Sequence, residues 1–187
     1  MSLILASGSP RRRELLSIVT SDFTVKASNA EEKTGPGFTP AETVEALSKI
    51  KGDSVFAENP LDTVIASDTV VAIDGVILGK PRSKEEAFSM LRTLSGRTHT
   101  VYTGVYIKNS SRETLFHERS DVTFFELSDD EINAYVSTGE PFDKAGAYGI
   151  QGKGALLVRR INGDFYTVMG FPIGKVSREL KAFGIDG

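Results

Sequence analysis

The chain of 187 residues has no cysteine, no tryptophan and only two histidines. Without cysteine there is no disulfide framework, no thiol nucleophile and no thiolate site for zinc or an iron–sulfur cluster. His99 and His117 are the only imidazoles, so a multi-histidine metal cage is excluded. A Ser–His–acid triad would have to use one of the two. Any bound metal should be a hard cation held by carboxylates. Long apolar runs are also missing. Uncharged stretches reach only about ten residues, against the ~20 needed to span a bilayer. The N-terminal segment has neither a basic n-region nor a long apolar core. The expectation is a soluble, cytoplasmic protein with no membrane partner. The net charge is only −3, which gives nucleic acid nothing global to bind. An anion site would need a local cluster of cations.

What is present is ordinary globular composition, 40% hydrophobic and 25% charged, rather than that of a disordered chain. The length suits one domain, or two small lobes around a shared sheet. Leu3-Ile4-Leu5 reads as a short buried strand. Ser9 then Pro10 reads as a helix start, with Leu15, Leu16 and Val19 inward. Phe23 to Ala27 reads as a strand, and Ser28 to Phe38, with Gly35-Pro36-Gly37, as a loop. Capping boxes are expected at Thr39–Glu42, Ser83–Glu86 and Ser128–Glu131. The helix after Thr39 should run to about Phe56, interrupted at Gly52. Thr63 to Ser67 reads as a buried strand, and Asp74-Gly75 signals a type I′ hairpin. Thr98–Lys108 and Thr114–Phe125 are strand-like, 142–154 is glycine-rich, and Asn162-Gly163 suggests a second hairpin. Ile173, Val176, Leu180 and Phe183 make the stripe of a final helix. The expected class is mixed α/β, not a purely parallel doubly wound sheet.

Chemistry concentrates in a few segments. In Ala6-Ser7-Gly8-Ser9-Pro10-Arg11-Arg12-Arg13, small residues allow close backbone approach, and a helix N-terminus offers N–H donors suited to phosphate. Three arginines in that first turn oppose the macrodipole by roughly 0.3–1 kcal/mol each. An anion would offset that conflict; the alternative is a solvated turn partly neutralised by Glu14. Arg11 and Arg12 lie about 100° apart on a helix, so they face different ways. Asp68 follows the apolar run Thr63-Val64-Ile65-Ala66, at an expected strand end. It could bind a divalent cation, activate water, or be a turn aspartate. Glu31 and Glu32 open the early loop. Lys51 and Lys80 are each unremarkable surface cations alone, yet with Asp68 and the arginines they have the composition of a metal–phosphoryl site. In Asp143-Lys144-Ala145-Gly146-Ala147-Tyr148-Gly149-Ile150-Gln151-Gly152, Tyr148 could stack on a ring or be core. Gln151 offers the donor and acceptor edge that a pyrimidine imide requires, or it serves the loop backbone. His99 reads as structural.

These segments resemble the Maf family of nucleoside triphosphate pyrophosphatases. The resemblance rests on Ala-Ser-Gly-Ser-Pro-Arg-Arg at 6–12, Ala-Ser-Asp-Thr-Val-Val at 66–71, Leu-Gly-Lys-Pro at 78–81, Ser-Gly-Arg-Thr-His at 95–99 and the 143–152 segment. They occur in family order and cover nearly the whole chain. The resemblance implies one Maf-like domain over 1–187 with an inosine-triphosphatase-like α/β fold: a mixed twisted sheet flanked by helices, two lobes around a cleft. It implies hydrolysis of dTTP and UTP, and of modified pyrimidine nucleotides, to the monophosphate and pyrophosphate. A divalent cation, Mg²⁺ or Mn²⁺, and a homodimer are implied too. By position, Asp68 matches the proton acceptor, with Lys51 and Lys80 beside it in the active site. Ser7, Ser9 and Arg11 make the expected phosphate-binding set. Arg12, Thr69 and Gln151 match the specificity positions, and Asp68 and Glu32 are the expected metal carboxylates. Two departures stand out. Met169-Gly170-Phe171-Pro172 replaces the commoner Val-Gly-Leu-Pro, and Gly52 follows Lys51 where alanine is usual, which bears on how Lys51 is aimed. A second reading, a non-enzymatic nucleotide-binding regulator of septum formation, competes with the enzyme.

Overall fold

The structure is a computed structural model that describes residues 2–35 and 37–185. Pro36, within the expected early loop, lies outside the described residues. In chain order the elements are β1 (Leu3–Leu5), α1 (Pro10–Val19), β2 (Phe23–Val25), α2 (Pro40–Glu58), β3 (Thr63–Ile73), β4 (Val76–Leu78), α3 (Lys84–Leu94), β5 (Thr98–Lys108), β6 (Glu113–Phe124), α4 (Asp129–Val136), β7 (Val158–Asn162), α5 (Phe165–Met169) and α6 (Ile173–Lys181). Short 3₁₀ turns occupy Glu140–Asp143, Ala145–Ala147 and Gly152–Leu157. Among the described residues the strands form one seven-stranded sheet, ordered β2-β1-β3-β5-β6-β7, with β4 paired to β3. β1 pairs in parallel with β2 and β3, while β3–β4 and β6–β7 are antiparallel. The sheet is therefore mixed, as the Asp74-Gly75 hairpin signal required.

The chain divides into two compact units: Met1–Asp68 with Thr103–Glu118 and Gly170–Gly187, and Thr69–Tyr102 with Arg119–Met169. In the first, all three β1 residues are buried, which is the pattern of a strand covered on both faces. Ile4, Ala6, Val55, Val64 and Ala66 form one apolar cluster. Each large aliphatic side chain buried this way contributes roughly 1.5–3 kcal/mol. α1 packs on α6. α2 lies close on β5: a Cβ at Gly104 would stand 2.3 Å from the Val44 carbonyl oxygen. In the second unit, Ala87, Leu91 and Leu94 of α3 and Ile132 of α4 pack with Val101, Val122 and Phe124.

Several local expectations need correction. Asp68 does not end a strand. It sits inside the eleven-residue β3, because Thr69, Val70 and Val71 are β-formers that continue the ladder. Gly52 does not interrupt α2, which runs unbroken to Glu58. The capping boxes at Thr39 and Ser128 form in full. The one at Ser83 is half formed, since Glu86 accepts instead from the Arg82 N–H at 2.8 Å. The second hairpin is absent: Asn162-Gly163 leads into α5, because the Asp164 carboxylate accepts from Tyr166 and Thr167 N–H and starts a helix. The Asp74-Gly75 turn has the positive φ values, 52° and 77°, of a type I′ hairpin.

Candidate functional site

Ala6 extends the β1 ladder by donating to the Ile65 carbonyl at 2.7 Å. The chain then turns into α1 through Ser7, Gly8 and Ser9. The Ser9 side chain makes no capping bond to α1. Its N–H instead donates to Ser7 Oγ at 3.2 Å. The half-buried Arg12 is fixed at both sides of its guanidinium. Nε donates to the Gly170 carbonyl at 2.9 Å and Nη1 to Ser7 Oγ at 3.4 Å. Ser67 Oγ donates to the same carbonyl at 3.1 Å. Gly170 has φ of 98°, which an L side chain rarely adopts, and this turns its carbonyl to both donors. Burial pulls the Arg12 pKa below the ordinary arginine value; Asp68 opposes, Arg11 reinforces and Glu32 opposes. A groove beside α1 is lined by Ser7, Gly8, Ser9, Arg13 and the β2 residues, but not by Lys51, Asp68 or Glu32.

The central feature is a lysine between two acids. Lys51 Nζ stands 2.5 Å from Asp68 Oδ1 and 3.1 Å from Glu32 Oε1. The Lys51 and Asp68 side chains are only 14% and 12% exposed, whereas Glu32 is 52% exposed. Three separate parts of the chain supply them: α2, β3 and the loop before α2. What aims Lys51 is visible beside it. A Cβ at Gly52 would lie 2.4 Å from Tyr106 Cδ1, so the Tyr106 ring fills the place of the missing methyl. Tyr106 is fully buried, and its hydroxyl accepts from Lys49 Nζ at 3.0 Å and offers its one proton to either of two carboxylates, Glu113 at 2.5 Å or Asp53 at 3.0 Å. Burial first, then those carboxylates, push its pKa up. Gly52 stands out in the sequence and Tyr106 does not, since nothing local pairs two residues 54 apart.

Thr69, Lys80 and Gln151 belong to the second unit. Thr69 is half-buried on β3, while Lys80 and Gln151 are exposed. The turn carrying Lys80 is tied to the glycine-rich segment, because Gly146 N–H donates to the Gly79 carbonyl at 3.0 Å. Gly146 has φ of 68°, and a Cβ there would strike Val71 at 2.9 Å. The stretch bearing Gln151 is clasped on both sides. Gly149 N–H donates to Tyr135 Oη at 3.3 Å, and the Glu140 carboxylate accepts from Lys153 and Gly154 N–H at 3.1 and 3.3 Å. Glu140 and Tyr135 carried no sequence signal, because a carboxylate that serves backbone amides looks like any surface acid. Tyr148 proves to be core: it is 5% exposed, edge-on to Phe124. It is also 2.7 Å from His99 Nε2. His99 is buried, and desolvation pulls its pKa down to about 4. It is a neutral structural residue.

Among the described residues no group of three or more histidine, cysteine or acidic side chains could hold a metal ion. Asp68 and Glu32 nonetheless converge on a single cation, the Lys51 ammonium. Two hard carboxylates around one cation position suit Mg²⁺ or Mn²⁺, which commonly take one or two protein carboxylates and complete their shell with water and substrate phosphate. The donor set thus fits such an ion only in company with a phosphate ligand.

The chain is similar to several known proteins. A dTTP/UTP pyrophosphatase of Bacillus velezensis is 53% identical over 98% of this chain and 97% of its own. One from Bacillus pumilus is 50% identical over 98% and 97%, and one from Bacillus cereus 48% identical over 98% and 96%. The Ham1 protein of Staphylococcus aureus shares the fold, with a TM-score of 0.60 at 14% identity over 98% of this chain and 100% of that one. That likeness bears out the inosine-triphosphatase-like α/β fold. A sequence model of the family described as Maf-like protein matches residues 2–183, and the chain belongs to that family.

Proposed function

We propose that the chain is a nucleoside triphosphate pyrophosphatase that cleaves dTTP and UTP between the α- and β-phosphates. The observation that carries this reading is the Asp68–Lys51–Glu32 cluster beside the fixed Arg12. It combines a sheltered carboxylate with several cations, the set that phosphoryl transfer needs. The names of the relatives support the same substrates. We read the whole chain as one Maf-like domain. It would act in the cytoplasm as a homodimer on free nucleotides, with neither nucleic acid nor membrane as partner. A net charge of −3 fits the first exclusion. No helix among the described residues is long and apolar enough to cross a membrane.

In this reading Ser7, Ser9 and Arg11 hold phosphate oxygens at the start of α1. Asp68 takes the proton from the attacking water as the new P–O bond forms. The bond from the α-phosphorus to the bridging oxygen breaks, and pyrophosphate leaves with the electron pair. Lys51 and Lys80 stabilise the charge that develops on it. Asp68 and Glu32 would hold a divalent cation, which when bound neutralises phosphate charge. Arg12, Thr69 and Gln151 select the nucleotide, with the Gln151 amide matching the donor and acceptor pattern of thymine or uracil. The intact charged set favours catalysis over a purely regulatory role in septum formation.

A nucleotide panel tests the specificity. With Mg²⁺ or Mn²⁺ present, kcat/KM for dTTP and UTP should exceed that for dATP, dGTP and GTP by about tenfold or more, the scale of one or two well-made hydrogen bonds. Equal values for purines and pyrimidines would remove Gln151 and Thr69 from the recognition role.

A further inference from the structure

We infer that Lys51 is the resident counter-ion of the Asp68–Glu32 pair in the free protein, and that a divalent cation enters only as a polyphosphate draws the Lys51 ammonium away. This inference rests on the pyrophosphatase reading, because it takes Asp68 and Glu32 as the cation's carboxylates. The geometry is direct. The ammonium stands 2.5 Å from one carboxylate and 3.1 Å from the other, with only 14% of its side chain exposed. It occupies the point on which both acids converge, where a divalent ion would have to sit. Two cations cannot share a place sheltered from solvent screening.

Local charge gives the same answer. Asp68 and Glu32 pair with Lys51, and both also act electrostatically on Arg12. Lys51 offsets part of their charge at contact distance, and the arginines of α1 act on the same neighbourhood, so a free divalent ion finds little net attraction. No third acid completes a cage among the described residues. A triphosphate changes both terms. It supplies negative charge and hard oxygens for the ion, and it offers the ammonium a new partner. Lys51 can make that move because its charge rides on a flexible four-carbon stem, unlike the doubly anchored Arg12. Binding of the cation and of the phosphate must then favour each other by the same factor.

Mn²⁺ alone is the probe, with no nucleotide, its free concentration followed by electron paramagnetic resonance. The wild-type chain should bind weakly. Lys51→Met should bind Mn²⁺ about tenfold or more tightly, since removing a competing charge is an ordinary coupling effect. Lys51→Arg, which keeps the charge, should stay weak. Adding Asp68→Asn to Lys51→Met should erase the gain. Unchanged affinity in Lys51→Met, or equally tight binding in Lys51→Arg, would overturn the inference. The wild-type chain gives a check that does not depend on variants. With Mg²⁺ alone the Lys51 ammonium signal in heteronuclear NMR should stay as it is in the free chain, and Mg²⁺ with a non-hydrolysable triphosphate should abolish or shift it. Loss of the signal with Mg²⁺ alone, or no change with both, would also overturn the inference. These readouts need no turnover. A chain that behaves this way yet releases no pyrophosphate keeps the counter-ion and loses the proposed reaction.

Discussion

Asp68→Asn is expected to lower kcat for dTTP by about 10²–10⁴-fold, the range for removing a positioned general base. The asparagine is nearly isosteric and still offers Lys51 a carbonyl oxygen where Oδ1 now accepts at 2.5 Å. It cannot take a proton from water. Its position inside β3, between residues that hold the ladder, keeps the side chain in place. The fold should therefore survive, with a melting temperature within a few degrees of the wild type. Initial rates alongside a circular-dichroism melt check both halves. A variant retaining activity within about tenfold would mean that Asp68 is not the proton acceptor.

Gly52→Ala should be costly although it places the best helix former in the middle of a helix. Intrinsic propensity favours alanine by about 1 kcal/mol. Against this, the new Cβ would meet Tyr106 Cδ1 at 2.4 Å. The ring cannot swing aside cheaply, because its hydroxyl is bonded to Lys49, Asp53 and Glu113. Overpacking of this kind costs typically 1–3 kcal/mol. Less the propensity gain, the net loss is about 1 kcal/mol, which would lower the melting temperature by roughly 2–4 °C in a chain of this size. Lys51 is the preceding residue, so a shift of α2 away from Tyr106 also moves the ammonium off Asp68. We expect kcat to fall about tenfold, with KM changing less. Tyr106→Leu in the same chain should recover part of both losses. A double-mutant cycle measures that coupling. Additive effects in the cycle would show that the Gly52–Tyr106 contact does not set the aim of Lys51.

The sequence made β1, the Asp74-Gly75 hairpin, the boxes at Thr39 and Ser128 and the last helix legible, because each depends on neighbours within a few residues. It also made the charged residues legible by type. It did not reveal that Lys51, Asp68 and Glu32 meet, since that depends on α2 crossing the sheet at Gly104 and Gly52. Asp68 looked like a strand end because a charge usually stops an apolar run. Here the lysine from α2 neutralises it, which lets β3 continue. Asn162-Gly163 suggested a hairpin, but Asp164 one residue later caps a helix, and the local hydrogen bonds to Tyr166 and Thr167 decide the outcome. Tyr106, Glu140 and Tyr135 were invisible for one shared reason. Each acts on backbone or side chains brought near by the fold, and none lies in a stretch whose composition is unusual.

The most direct test of the central claim is the identity of the products formed from dTTP by the purified protein with Mg²⁺ or Mn²⁺, followed by ³¹P NMR. Thymidine monophosphate and pyrophosphate should appear together in equal amounts, with no diphosphate intermediate. Thymidine diphosphate with orthophosphate, or no turnover at all, would contradict cleavage between the α- and β-phosphates.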